Sequence, residues 1–287
     1  MDTPNTTKQI LDNSKRKGKT SALILKLIVW LNMFLVAGII IWMVGYILMA
    51  GIPNIHASLF DFTYNSENVS LMPALINTLS FVLMVLLFSC PIGISAAVFF
   101  VEYSAGDSKL IKFLRITTET LSGVPSIVFG LFGYLCFVIA FKMGYSMLAG
   151  CLTLAIMVLP VIIRTTEESL LAVPQMYREG SYALGAGKVR TIFRIILPAA
   201  LPGISSGIIL SVGRIVGETA ALIYTAGTLA QVATPMSSGR TLAIHMFALL
   251  SEGTHVQEAN ATAVILLILV IILNFLASFV VKALKRG

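Results

Sequence analysis

The sequence predicts an all-α integral membrane protein with six transmembrane helices and both termini in the cytoplasm. Three observations predict it. Hydrophobic residues make up 57% of the 287-residue chain and charged residues only 11%, whereas soluble domains carry about 25% charge. The apolar residues gather in runs near the ~20 residues that a helix needs to cross a bilayer. The basic residues fall almost entirely on alternate connections between those runs.

In chain order, the crossings are Leu23–Ala50, Leu71–Val101, Leu121–Phe141, Met147–Ile163, Leu201–Ala226 and Val264–Val281. The fifth qualifies if Arg214 and Glu218 are tolerated inside it. The first is too long for a signal-peptide core and follows the basic stretch Lys15–Lys19, which reads as an uncleaved signal anchor. Residues 1–22 then form a cytoplasmic tail and 23–287 one transmembrane domain, with a cytoplasmic elbow at 174–198. Sixteen of the 20 lysines and arginines lie on the proposed inner side: the tail with Lys26 at the very start of the first crossing, the stretch around Lys109, Lys112 and Arg115, the elbow, and the end at Lys282, Lys285 and Arg286. The outer segments hold only Lys142 and Arg240, while Arg164 and Arg214 are intramembrane. A net charge of +7 with this bias reports topology rather than nucleic-acid binding.

Cys90, Cys136 and Cys151 sit inside apolar runs without CxxC or Cys/His pairing, so neither a disulfide framework nor a metal site is expected. The outer segment from Gly227 to Ala261 contains the apolar stretch Thr241–Leu250, which is too short to span. It predicts a helix at the surface or dipping into the bundle.

The longest polar interruption runs from Pro174 to Pro198. Pro174–Ala186 reads as a short helix, Gly185-Ala-Gly187 as a turn, and Val189–Ile196 as a second short helix. Pro198 and Pro202 are expected to stop that helix and start the next span. The spacing Glu179, Gly185, Ile195, Leu197, Pro198 resembles the cytoplasmic loop of ABC importer permeases: Glu-Ala-Ala, three residues, Gly, nine residues, Ile, one residue, Leu-Pro. The chain departs at Gly180 and Ser181, where the family prefers alanine. The resemblance implies the type I ABC importer permease architecture. It also implies that the elbow docks in a groove on a cytoplasmic ATP-binding subunit, with Glu179 as polar contact and Gly185 as turn. No ATP site is expected in the chain itself: Gly18-Lys-Thr20 resembles the end of a phosphate loop, but Asn13 stands where its first glycine belongs and no strand precedes it.

The intramembrane charges carry the second functional signal. At about 100° per residue, Gly203, Gly207, Arg214, Glu218, Ala221 and Thr225 share one stripe of the fifth span. Small residues and charges together face a neighbouring helix or a water-filled path rather than lipid. One reading is an Arg214–Glu218 pair that neutralises itself and staples two helices. The other is that Arg214, with Arg164, recognises an anion in transit, because a guanidinium fork matches a tetrahedral oxyanion and stays charged. Glu218 would then hold Arg214 between passages. Arg164 also has two readings, substrate contact or pairing with Glu168 near the inner interface.

Gly213-Arg-Ile-Val-Gly-Glu-Thr-Ala220 and Arg164-Thr-Thr-Glu-Glu168 resemble the phosphate-specific, PstA-type branch, with sulfate, molybdate and phosphonate permeases as alternatives. That resemblance implies a bacterial plasma membrane location, a second homologous permease, an ATP-binding subunit dimer, an extracytoplasmic phosphate-binding protein, surrounding membrane lipid and no cofactor. Three rivals are weaker. Gly203-Ile-Ser205-Ser-Gly207 fits GxSxG, but all three histidines (His56, His245, His255) lie in outer segments. An ion-driven secondary transporter lacks symmetric helix breaks and has no use for the elbow. A scaffold leaves Arg214 and Glu218 without an energetic reason.

Overall fold

The computed structural model describes the backbone of residues 4–103 and 109–284, and the side chains of 22–103 and 109–279. The expected charges at Lys282, Lys285 and Arg286, and those of the tail before residue 22, lie outside the described side chains. The described residues are helical with no strand. The chain divides into two compact units, Met1–Ala50 and Gly51–Gly287.

Helix α1 (Pro4–Gly51) contains the first crossing. The crossing segment, Ala22–Asn54, is strongly apolar, as suits a helix solvated by lipid. Asn32, a side-chain amide within it, returns Nδ2 to the Ile28 carbonyl at 2.9 Å, which lowers the cost of placing it in hydrocarbon.

The second unit is built around α5 (Met147–Leu171). In its apolar window 61% of the residues are buried, against 39% for the crossings in α2 (Met72–Val98) and α8 (Leu197–Gly217) and 17% for α11 (Val256–Leu284). Thus α5 is the axis that the other crossings cover. Phe81, Leu154, Met157, Ile162, Ile215 and Leu222 are its largest fully buried neighbours and members. Close approach of α8 needs two glycines. A Cβ on Gly203 would lie 2.2 Å from Ser169 Oγ, and one on Gly207 would lie 1.9 Å from Thr165 Oγ1. Helices that meet through small residues in this way are held by packing, since lipid provides no hydrophobic drive.

Two expected spans are corrected by the structure. The third does not run straight from Leu121 to Phe141. Instead α3 (Lys109–Ser122) and the crossing Ser126–Ala140, which comprises α4 (Ser126–Gly133) and a π-helical stretch, meet at 105°. The break falls at Gly123-Val124-Pro125. Pro125 has no N–H to give and bars Val124 from helical backbone. The fifth expected span, Leu201–Ala226, is also broken: α8 ends at Gly217, Glu218 is extended (ψ 127), and a separate short helix α9 (Ala220–Thr225) follows. The helical stripe therefore holds only as far as Arg214. Beyond the break, Ala221 and Thr225 pack against Gly130 and Gly133 of the third crossing.

The outer segment dips into the bundle, one of the two arrangements expected. Asn77, in the second turn of α2, donates Nδ2 to the Gln231 and Arg240 carbonyls (2.8 and 3.0 Å) and accepts from the Ala233 amide at 2.8 Å. Thr78 Oγ1 accepts from the Leu242 amide at 2.9 Å. These bonds satisfy loop backbone that water cannot reach. They seat α10 (Leu242–Glu252), whose Leu242, Ile244, His245 and Leu249 are fully buried. Burial, and then the Arg240 charge, push the His245 imidazole down to about 3, so it is neutral under any physiological condition.

Candidate functional site: an elbow and a broken helix

The elbow folds as the punctuation requires, with one correction. Pro174 caps α6 (Gln175–Ala183), and Gly185 takes the left-handed conformation at φ 78°. The Gly185 amide donates to the Tyr182 carbonyl (2.9 Å) and the Ala186 amide to the Ser181 carbonyl (3.1 Å). That is the paired 5→2 and 6→1 bonding of a Schellman turn. No atom stands within 4 Å of where a Gly185 Cβ would be, so glycine is needed here for backbone conformation alone. Gly185→Val is expected to cost about 1–2 kcal/mol and to lower the thermal midpoint of the purified protein. An unchanged midpoint would show that the turn re-forms without a left-handed residue.

The second elbow helix does not stop at Pro198. The helical segment Lys188–Gly217 is continuous through α7 (Lys188–Thr191), a π-helical stretch Ile192–Ile196, and α8. Pro198 cannot donate and its ring would crowd the carbonyl four residues back. The π turn widens the helix just ahead of it, with the Leu197 amide reaching the Ile192 carbonyl. The elbow is thus the inner end of α8 itself.

Glu179 is exposed on α6. Around it, Met176, Tyr182, Leu184, Val189 and Phe193 are also exposed, Leu184 by 90%. Both elbow helices thus present exposed apolar side chains on a polar connection. Ile195 and Leu197 face inward, packed against Ala97, Leu170, Val173, Ile196, Ala200 and Ile204. The departures from alanine differ in kind. Gly180 has open space where a Cβ would be. Ser181 is buried and its Oγ shares a 2.7 Å hydrogen bond with Thr191 Oγ1, tying one elbow helix to the other.

The two proposed path residues on α8 are not paired. Among the described residues no ion pair joins Arg214 to Glu218. Glu218 is 8% exposed, and its Oε1 accepts from the Ala221 amide at 3.1 Å. A carboxylate on the first turn of α9 satisfies an otherwise orphaned donor beside the helix's positive end. Both sequence readings placed Glu218 against Arg214; the helix break turns it away. Arg214 is half-buried and has neither a hydrogen bond nor an ion pair among the described residues. The pairs Gly203–Ser169 and Gly207–Thr165 set an antiparallel register that places Arg214 near the level of Val158, midway along α5.

Arg164 lies at the inner end of α5. Its Nε donates to Glu168 Oε1 at 3.0 Å, and Glu119 Oε1 stands 3.6 Å from Nη1. Arg115 pairs with Glu167 at 2.6 Å beside it. These groups line a cleft of about 240 Å³ between α3 and α5. Three carboxylates against two guanidiniums make the cleft net acidic. Ser205 Oγ donates to the Pro202 carbonyl at 2.6 Å, a local helix bond, and no histidine partners it among the described residues. Arg178 and Glu102 form an ion pair, and Thr191 a hydrogen bond to Ser181, that no sequence pattern announces. Arg178 adjoins Glu179, which is a local cue, but Glu102 is 76 positions away and carries none.

A bundle of apolar helices long enough to cross a membrane, with a polar helical elbow running into a broken helix, is the build of a multi-pass membrane protein. The chain belongs to the family of binding-protein-dependent transport system inner membrane components, whose model matches residues 89–287. It is accordingly a multi-pass protein of the plasma (inner) membrane. It is 32% identical over 265 residues to a probable ABC transporter permease protein, YqgI, of Bacillus subtilis, covering 85% of this chain and 89% of that one. It is 36% identical over 195 residues to the phosphate transport system permease protein PstA 1 of Mycobacterium tuberculosis, covering 66% of this chain and 63% of that protein's length. Its fold matches an inward-facing MetNI methionine ABC transporter at TM-score 0.62 and 21% identity, over 75% of this chain and 95% of the other. The architecture is therefore that of a type I ABC importer permease.

Proposed function

We propose that the chain is one of two pore-forming permease subunits of an ATP-driven importer that moves inorganic phosphate across the plasma membrane by alternating access. The observation that carries this reading is Arg214: a half-buried guanidinium in the last turn of α8, level with the middle of α5, with no carboxylate partner among the described residues, four residues before the break at Glu218. A discontinuous helix at mid-depth is where transporters of several folds place substrate. A planar fork that stays charged suits a tetrahedral oxyanion. Similarity to phosphate permeases supports phosphate over sulfate or molybdate, which a guanidinium alone does not distinguish. Arg164 lines the inner end of the same path, where its two carboxylate partners weaken its hold on an anion and favour release.

ATP hydrolysis belongs to a separate ATP-binding dimer that grips the elbow. The remaining partners are a second homologous permease and an extracytoplasmic phosphate-binding protein. Glu179, Gly185, Ile195, Leu197 and Pro198 divide the coupling work: Glu179 and the apolar patch meet the ATPase, Gly185 holds the turn, and Ile195, Leu197 and Pro198 join the elbow to α8. Because the elbow is continuous with α8, a push on it acts along the helix that carries Arg214.

The reading is tested by ATP-dependent uptake of labelled phosphate in vesicles holding the whole complex, with sulfate and molybdate as competitors. Phosphate uptake that the other two anions leave unchanged is expected. Uptake that is ATP-dependent but suppressed by sulfate or molybdate at equal concentration would reassign the cargo. Glu179→Lys is expected to reduce recovery of the ATP-binding subunit in co-purification, through reversed charge at the exposed contact. Full recovery would count against elbow docking.

A further inference from the structure

Both elbow helices are fastened to one point at the inner end of the second crossing. From α6, Arg178 donates Nε and Nη2 to Glu102 Oε1 at 3.0 and 2.8 Å. The same guanidinium donates Nη1 to the Val173 carbonyl and Nη2 to the Leu170 carbonyl, each at 3.0 Å. From α7, Lys188 Nζ lies 4.6 Å from the centre of the Tyr103 ring. Glu102 and Tyr103 are consecutive residues at the end of the π-helical stretch Phe99–Tyr103 that follows α2.

Burial separates this pair from an ordinary surface bridge. The Arg178 and Glu102 side chains are 13% and 6% exposed, whereas Arg164 and Glu168 are 58% and 64% exposed. A buried ion pair is a poor source of stability, because desolvation offsets the attraction and an apolar replacement often serves as well. What it does well is hold one geometry. Arg178 commits four of its five N–H groups to that geometry: its fork reaches the Leu170 carbonyl in the last turn of α5 and the Val173 carbonyl just beyond it while gripping Glu102. One planar group thus locks α5, α6 and the end of the second crossing together. The apolar contacts around it, Ala97 and Leu170 with Val173 and Ile196, fill the space between the same elements.

We propose that Arg178 and Glu102 are a positioning pair that carries displacement of the elbow into the second crossing, so that α2 moves with α8 when the ATPase closes. Chain continuity delivers elbow motion to α8 and, through Ala172-Val173-Pro174, to α5; the pair supplies the route to α2. The proposal rests on the elbow-docking part of the proposed function.

The test uses the full complex in vesicles, comparing wild type with Glu102→Gln and Arg178→Lys. Both variants are expected to retain the ATP-binding subunit and to hydrolyse ATP. Phosphate moved per ATP is expected to fall about tenfold or more in Glu102→Gln, and less in Arg178→Lys, which restores the charge but not the fork. A wild-type ratio of uptake to hydrolysis in both variants overturns the proposal. Parallel loss of ATPase subunit and uptake also overturns it, because the pair would then merely shape the docking surface. A second readout needs no cargo. Spin labels at lipid-exposed Leu87 on α2 and Phe275 on α11 should change separation when ATP binds a hydrolysis-blocked wild-type complex, and should not in Glu102→Gln. An equal change in both overturns the pair's role. Wild-type vesicles that move no phosphate sink the cargo reading while the label distances still judge the pair. A wild-type chain that retains no ATPase subunit sinks docking and the pair together.

Discussion

Arg214→Gln is expected to reduce ATP-driven phosphate uptake at least about a hundredfold while the partner permease and the ATPase subunits still co-purify. The magnitude follows from two charge-assisted hydrogen bonds of a guanidinium fork, each worth roughly 1.5–3 kcal/mol, where every 1.4 kcal/mol is about tenfold. Assembly survives because the arginine makes no contact that the fold depends on. It has no hydrogen bond or ion pair among the described residues, and Glu218 is already committed to the Ala221 amide. An ionised side chain at mid-bilayer costs about 2.5–3.5 kcal/mol, so a shorter, neutral glutamine is expected to leave the isolated chain as stable as before or more so. Uptake by reconstituted complexes and thermal stability of the purified chain read the two halves of the expectation separately. Near-normal uptake would move anion recognition to another residue. A collapsed midpoint would show that Arg214 holds the bundle together.

The parts of this site differ in how far they could be read from sequence, and the differences have physical causes. The elbow was legible because its geometry is local. A left-handed residue at Gly185 and a proline before α6 are requirements of the nearby backbone, and Gly185 does take φ 78°. The place of Arg214 within an apolar helix was legible because a run of apolar residues long enough to span marks such a helix directly. The break at Glu218 was not, since no proline marks it: Gly217-Glu218-Thr219 reads as continuing helix, and the interruption is held instead by tertiary contact of α9 with Gly130 and Gly133. Extending a period of 3.6 across that break put Glu218 on the wrong face. Pro198 was misread in the opposite direction. Proline predicts a stop, but here a π turn absorbs it, and the helix runs on with the elbow attached. Glu102 and Arg178 show the remaining limit. A pair 76 positions apart leaves no pattern in either neighbourhood, and each residue read alone is an ordinary charge at a membrane surface.

The second large effect is expected at Gly130, where α4 meets α9. A Cβ placed there would lie 2.8 Å from the Ala221 Cα, 3.2 Å from the Ala221 carbonyl oxygen and 3.3 Å from that of Ala220. All three neighbours are backbone, so no side chain can rotate aside and α9 itself has to move. Overpacking of this kind costs about 1–3 kcal/mol, occasionally more, and Gly130→Val is expected to lower the thermal midpoint of the purified chain accordingly. Gly213→Ala is the contrasting substitution, because nothing lies within 4 Å of the added atom and alanine favours helix over glycine by about 1 kcal/mol; its midpoint should stay or rise. The functional loss at Gly130 is expected to exceed the loss of stability. Displacing α9 pulls on the Glu218 cap and on the two-residue break that joins it to α8, and so shifts the end of α8 at Gly217, in the same turn as Arg214. Uptake measured at a temperature where Gly130→Val remains folded distinguishes the cases. Near-normal uptake there would show that the position of α9 does not govern the path, whereas a deficit would place the break itself in the transport machinery.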